Sequence, residues 1–176
     1  MYTNKNTPFY LTAVILFIVL KFCFTLTTNN DLAFLLTTTD KCLGVLTGFH
    51  SLLTSDGYYY EQLNILLDKS CSGFNFWILS FLVFSYLTLK SVDKTVHKIL
   101  MIPATLLGAY LLTIFVNTSR IFASIIVQNQ TKNFLATQQH LVHEAVGVVT
   151  NLSFLILAYC LIEKMTIKAQ HDAQPA

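Results

Sequence analysis

Residues 69–90 read KSCSGFNFWILSFLVFSYLTLK, and this stretch decides the fold class. A short polar turn ends at Gly73, a mostly apolar run follows, and Lys90 closes it. A helix crosses the hydrocarbon core of a bilayer with about 20 mostly apolar residues. The stretch therefore predicts a membrane-spanning helix with Cys71 at its entrance.

The composition of the whole chain agrees with this interpretation. Of its 176 residues, 54% are hydrophobic and only 11% are charged, whereas soluble domains carry about 25% charged residues. The net charge of +2 is too small to favour nucleic acid as a partner. We predict an all-α integral membrane protein, a helical bundle of four to five transmembrane helices, with one domain over 1–168 and a disordered tail at 169–176.

Four segments are long and apolar enough to span a membrane. The first contains Lys21 and is followed by no small-residue cleavage site, so we expect a retained anchor. The predicted spans are approximately 9–27, 74–89, 99–120 and 141–162.

The region 28–70 is harder to assign. It is apolar enough to suggest a fifth span, but Asp40 and Lys41 lie at the centre of the apolar part, and central charges are costly in a bilayer. We expect two short interfacial or re-entrant pieces, 32–39 and 42–53. After the Ser55-Asp56-Gly57 turn signal, 58–67 is expected to form an extended arm.

The distribution of lysines predicts the orientation, because positive charge accumulates in cytoplasmic loops. The lysines that indicate the cytoplasmic side are Lys5, Lys90, Lys94, Lys98, Lys164 and Lys168. Four spans then leave both termini inside and 28–70 outside. Cys71, Arg120 and His143 are all expected at the outer interface.

Cys71 is the candidate nucleophile. A thiol reacts as its thiolate, which a helix N-terminus or a nearby cation favours. Ser72 and Gly73 open the following helix, and Ser70 or Ser72 could cap it. The alternative is a free interfacial cysteine without a role.

Arg120 is the candidate cation of the site. Arginine within an apolar helix is rare and indicates function. Asn117 lies three residues earlier on the same helical face, so the two side chains could stabilise one oxyanion. The alternative is an arginine that reaches a lipid phosphate at the interface.

His143 is the candidate acid and base, since imidazole titrates near neutral pH. Gly147 lies one turn later and leaves room for a substrate or a packed helix. The alternatives are a histidine bonded to a backbone carbonyl, or a metal pair formed by His140 and Glu144. The zincin order is absent, and we predict neither a metal site nor a cofactor.

The ordered set of motifs resembles the exosortase/archaeosortase family. Ser70-Cys71-Ser72-Gly73, Asn117-x-x-Arg120 and His143 with Gly147 carry the resemblance, which covers about 43–162 and is closest to the exosortase K type. The alanine that usually precedes the family's cysteine is replaced here by Ser70. Many members have about eight spans, so a second copy of this chain is a candidate partner.

The resemblance implies a cysteine transpeptidase in a bacterial inner (cytoplasmic) membrane, with its active site on the extracytoplasmic side. Its substrates would be membrane-anchored exported proteins with a C-terminal sorting signal. Cys71 would be the nucleophile, His143 the acid and base, and Arg120 the stabiliser of the transition state. The competing interpretation is a small non-catalytic scaffold or assembly subunit.

Overall fold

The computed structural model describes residues 6–92, 94–131 and 139–172, with side chains for 6–92, 94–127 and 145–167. The helices are α1 (Thr7–Leu26), α2 (Ala33–Thr47), α3 (Phe74–Ser91), α4 (Thr95–Thr131) and α5 (Gln139–Asp172). The strands are β1 (Leu52–Thr54), β2 (Gly57–Tyr60) and β3 (Ile65–Leu67), and a 3₁₀ turn at Lys69–Cys71 precedes α3.

The predicted all-α membrane architecture is confirmed. Four helices in the described residues are long and apolar enough to cross a membrane, and they correspond to the four predicted spans. The last two helices extend beyond the predicted spans in both directions. The expected disorder of 169–176 is wrong at its start, because α5 continues to Asp172, and 173–176 lie outside the described residues.

The described chain forms two compact units. Unit 1 comprises α1, α3 from Asn75, α4 as far as Leu112 and α5 from Leu155. Its core combines two large aromatic side chains with three alanines, which let helix backbones approach closely. The buried members are Ala13, Phe81, Phe84, Ala109 and Ala158.

Two polar side chains in unit 1 form hydrogen bonds to distant segments of that unit. The indole of Trp77 donates to the Leu106 carbonyl at 3.0 Å. Lys98, one of the lysines used to predict orientation, is buried, and its Nζ donates to Asn6 Oδ1. Such bonds satisfy groups that would otherwise be costly in an apolar environment.

Unit 2 contains α2, the strands, the 3₁₀ turn, α4 from Thr113 and α5 as far as Phe154. The strands form an antiparallel meander in the order β1-β2-β3. One face of the meander packs against α2 and α4 in a single apolar cluster. Its buried members are Leu43, Tyr60, Leu67, Ile121 and Ile125.

The expected pair of short pieces at 32–39 and 42–53 is wrong. A single helix, α2, runs through Asp40 and Lys41 and ends at Gly48, whose φ of 73° forms a left-handed cap bonded to the Gly44 carbonyl. At about 1.5 Å per residue, α2 is roughly 22 Å long and too short to span. The extended arm is confirmed as β2 and β3, although 52–54 form a strand before it.

Tyr60 joins the sheet to α2. Its side chain is 1% exposed, and its hydroxyl donates within hydrogen-bond distance of both the carboxylate (2.8 Å) and the carbonyl (2.9 Å) of Asp40. Burial, followed by the hydrogen bond to Asp40 and its negative charge, raises the pKa of Tyr60 well above its ordinary value. Asp40, which argued against a continuous helix in the sequence, is therefore part of what holds α2 to the sheet.

This raised pKa predicts a pH-dependent stability. The folded state holds the Tyr60 phenol proton more tightly than the unfolded state does. The stabilisation that this hydroxyl contributes to the folded state is therefore complete below about pH 10 and is lost as the pH rises above that value. We expect the free energy of unfolding to fall by about 1.4 kcal/mol per pH unit there. Tyr60→Phe should remove this slope and cost about 1–2 kcal/mol at neutral pH.

The measurement is chemical unfolding of the detergent-solubilised protein from neutral pH to about pH 11. Tyr59→Phe is the matched control, since the Tyr59 hydroxyl makes an exposed hydrogen bond to Asn64. The control should keep the alkaline slope. An unchanged slope in Tyr60→Phe would contradict the assignment.

Candidate functional site

Cys71 lies in a polar turn fixed by local hydrogen bonds. The Asp68 carboxylate accepts from the backbone N–H of Ser70 at 2.9 Å and of Cys71 at 3.3 Å, and from the Ser70 hydroxyl at 2.6 Å. The Ser72 hydroxyl accepts from the N–H of Phe74, the first residue of α3. Of the two predicted caps, Ser72 caps the helix and Ser70 does not.

Two asparagines attach this turn to distant parts of unit 2. Asn29 accepts from the N–H of Lys69 at 2.7 Å and donates to the carbonyl of Asp56, in the β1–β2 turn, at 2.9 Å. Asn117 of α4 donates from Nδ2 to the Cys71 carbonyl at 2.6 Å. The position of Cys71 is thus defined relative to the sheet and to α4.

Gly73 permits the close approach to α4. Its φ is 72°, a conformation that costs other residues energy. A Cβ at this position would lie 3.0 Å from Cγ of Asn117 and 3.1 Å from Cγ2 of Thr113. Both the backbone conformation and the available space therefore require glycine beside the Asn117 bond.

The thiol itself is half-buried at the edge of the unit 2 cluster. Its Sγ lies 3.8 Å from the Ser70 hydroxyl and 3.9 Å from the Leu66 carbonyl. Cys71 is thus accessible while its backbone is held firmly.

Arg120 lies one helical turn after Asn117 on α4. Its Nε and Nη2 are buried and have no hydrogen-bond partner among the described side chains. Its Cδ and Nη1 lie 3.5 and 3.6 Å from the point that a Cβ at Gly147 would occupy. Gly147 therefore lies against the side chain of Arg120.

Two contacts give the alignment of α4 and α5 within unit 2. The rings of Phe115 and Phe154 meet edge to face at 5.5 Å, and Arg120 meets Gly147. Residue numbers increase along α4 from the first contact to the second, whereas they decrease along α5. The two helices are therefore antiparallel. Along the two chains, position 143 lies four residues before Gly147 in α5, and Ser124 lies four residues after Arg120 in α4.

His143 is in α5, but its side chain lies outside the described ones, as do those of His140 and Glu144. The described side chains therefore do not test the alternative of a metal pair at His140 and Glu144. Ser124 of α4 is buried, and its hydroxyl has no partner among the described residues. Position 143 thus lies one turn beyond the Arg120–Gly147 contact.

Sequence reasoning missed three residues of this arrangement. Asp68 could have been recognised, because an aspartate two residues before a serine often accepts from the following backbone. Asn29 and Ser124 act through long-range packing, which a single sequence does not reveal. Asn117 was expected beside the oxyanion, but its amide already binds the Cys71 carbonyl, which makes it a positioning residue.

Comparison with models of protein families, with curated proteins and with solved structures finds no match to this chain. The resemblance to exosortases therefore stays a prediction that depends on the motifs alone.

The geometry of the turn predicts that Gly73→Ala is destabilising. The left-handed conformation alone should cost about 1–2 kcal/mol, and the methyl group must also displace Asn117. The expected result is a lower unfolding midpoint and a changed rate of Cys71 alkylation by a maleimide.

Gly108→Ala is the control, because a Cβ there meets no atom within 4 Å. In a helix interior this change should stabilise by about 0.5–1 kcal/mol. Equal effects of the two substitutions would contradict the role given to Gly73.

Proposed function

We propose that this protein is a membrane-embedded cysteine transpeptidase of the exosortase kind, acting at the extracytoplasmic face of a bacterial inner membrane. The observation that carries the proposal is the 2.6 Å bond from Asn117 to the Cys71 carbonyl. This bond joins the turn that bears the thiol to α4, and Arg120 lies one helical turn after Asn117 on that helix.

The thiol is the nucleophile. Cys71 lies three residues before Phe74, the first residue of α3, and its thiol is only half-buried. In the first step, Sγ bonds to the carbonyl carbon of a substrate peptide, and the carbonyl electrons move to oxygen. The rigid turn contributes by holding Sγ in one orientation toward the substrate.

Arg120 stabilises the oxyanion of that intermediate. Buried donors without partners are costly in a protein interior, and the Nε–H and Nη2–H of Arg120, which have no partner among the described residues, are available to an acceptor. A developing negative charge meets this requirement better than a neutral carbonyl does, which is the condition for catalysis. The bare backbone of Gly147 leaves room for the acceptor.

His143 transfers the proton. It removes the thiol proton, then gives it to the leaving amine as the C–N bond breaks and the thioester forms. An acceptor amine or water then attacks the thioester, and the thiolate leaves and regains its proton. The buried Ser124 hydroxyl, which has no partner among the described residues, is the group that we propose orients the imidazole.

The substrates are exported proteins anchored by a C-terminal helix and a basic tail. The charge rule that orients the enzyme also keeps that basic tail in the cytoplasm. The cleavage point, just outside the substrate's helix, then meets Cys71 at the same side of the membrane.

The orientation predicts which residues are labelled from outside. In a background without other cysteines, Cys71 and a cysteine at position 143 should react with a membrane-impermeant maleimide in intact cells. A cysteine at position 94 should react only after the membrane is permeabilised. Labelling of position 143 only after permeabilisation would contradict a shared site.

If Cys71 is the nucleophile, Cys71→Ala should lose the ability to process its substrate. In cells that make the protein with a tagged anchored substrate, the unprocessed precursor should accumulate, with the rate reduced at least about 10³-fold, as for loss of a nucleophile. His143→Ala should slow the reaction by about 10²–10⁴-fold. The measurement is precursor conversion on gels and by mass spectrometry.

Cys42→Ser is the matched control, since Cys42 is a second half-buried free thiol of unit 2 and lies on α2. It should process substrate at the native rate. Unchanged processing in Cys71→Ala, with normal folding of the variant, would favour the scaffold interpretation instead.

A further inference from the structure

Two cavities of unit 2 meet at the second half of α2. One is a polar cleft of about 690 Å³ between α2 and the loop that leads to β1, with Asp40 and His50 in its wall. The other is a groove of about 430 Å³ between α2 and α4. Lys41 and Val45 line both cavities, so a single elongated ligand could occupy the two together.

The groove is apolar for most of its length. Val45 and Leu46 form one wall, and Ile114 and Phe115 form the other. The second wall belongs to α4, one of the four candidate membrane spans. An acyl chain suits an apolar groove on a helix that is long and apolar enough to cross a membrane.

Lys41 places an ammonium at the point where the cleft and the groove meet. Asp40 is its one acidic side chain, and that carboxylate is engaged by the Tyr60 hydroxyl. Lys41 is exposed and has no hydrogen bond or ion pair with the described residues. Together with His50, it leaves the cleft suited to an anion.

The surface around the two cavities is also apolar. Val45 is 86% exposed and Leu53 is 76% exposed, and Leu46 and Leu52 are exposed nearby. Exposed apolar residues in contiguous positions indicate a surface covered by another apolar phase. An amphipathic helix lying at the boundary of headgroups and acyl chains shows this combination of features.

We propose that this composite cavity binds a phospholipid. The phosphate lies in the polar cleft against Lys41 and His50, and one acyl chain lies in the apolar groove between α2 and α4. The group that would bind the phosphate is the Lys41 ammonium, which has no hydrogen bond or ion pair with the described residues. The proposal stands apart from the transpeptidase activity, since it uses neither Cys71 nor Arg120.

Native mass spectrometry of the full chain, delipidated in detergent, tests the site. Phosphatidylglycerol should bind more tightly than diacylglycerol, which lacks the phosphate, and than glycerol phosphate, which lacks the chains. Lys41→Gln should weaken phosphatidylglycerol binding about fivefold, the expected effect of one basic residue near an anionic lipid surface. Val45→Asp should weaken it at least as much.

Matched controls come from the far end of α4. Lys94→Gln removes a lysine outside the cavities, and Val96→Asp changes a valine that is 75% exposed. Neither should alter binding. Equal binding of phosphatidylglycerol and diacylglycerol, or no effect of Lys41→Gln in a folded variant, would overturn the proposal.

Discussion

The hydrogen bond from Asn117 to the Cys71 carbonyl is the constraint on which the candidate site depends. A carboxamide in an apolar helix needs a partner, because an unpaired buried amide is costly. A carbonyl just before a helix needs a donor for the same reason. By pairing the two, the chain fixes the thiol-bearing turn to α4 at 2.6 Å, and Gly73 is the residue that permits this approach.

Some polar groups in unit 2 have hydrogen-bond partners, and others have none among the described residues. The Tyr60 hydroxyl and Asp40 satisfy one another and thereby hold the sheet to α2. Asn29 and Asp68 satisfy the backbone of the Cys71 turn. Arg120 and Ser124 retain buried donors without partners among the described residues. The buried hydroxyls of Thr39, Ser80 and Thr118 also have no partner among the described residues, so it is the guanidinium of Arg120, one turn from the bond that holds the Cys71 turn, that sets the proposed site apart.

The expectation that failed shows what a hydropathy argument leaves out. Hydropathy counts Asp40 and Lys41 as costly in lipid and therefore predicts two short pieces that are separated at these residues. In the structure, α2 packs against a sheet, where Asp40 meets the Tyr60 hydroxyl and Lys41 remains exposed. The partner of Asp40 is 20 residues away, so no local pattern could have indicated that the charges are tolerated.

The sequence by itself determined the four spans, the helix entrance at Cys71 and the candidate set of Cys71, Arg120 and His143. It could do so because apolar length, charge asymmetry and rare polar residues in apolar runs are local properties of the chain. Only the tertiary structure decided that Asn117 positions the Cys71 turn, that Gly147 meets Arg120 and that α2 is continuous. These features depend on contacts between segments distant in sequence, whose geometry is set by packing and by the pairing of buried polar groups.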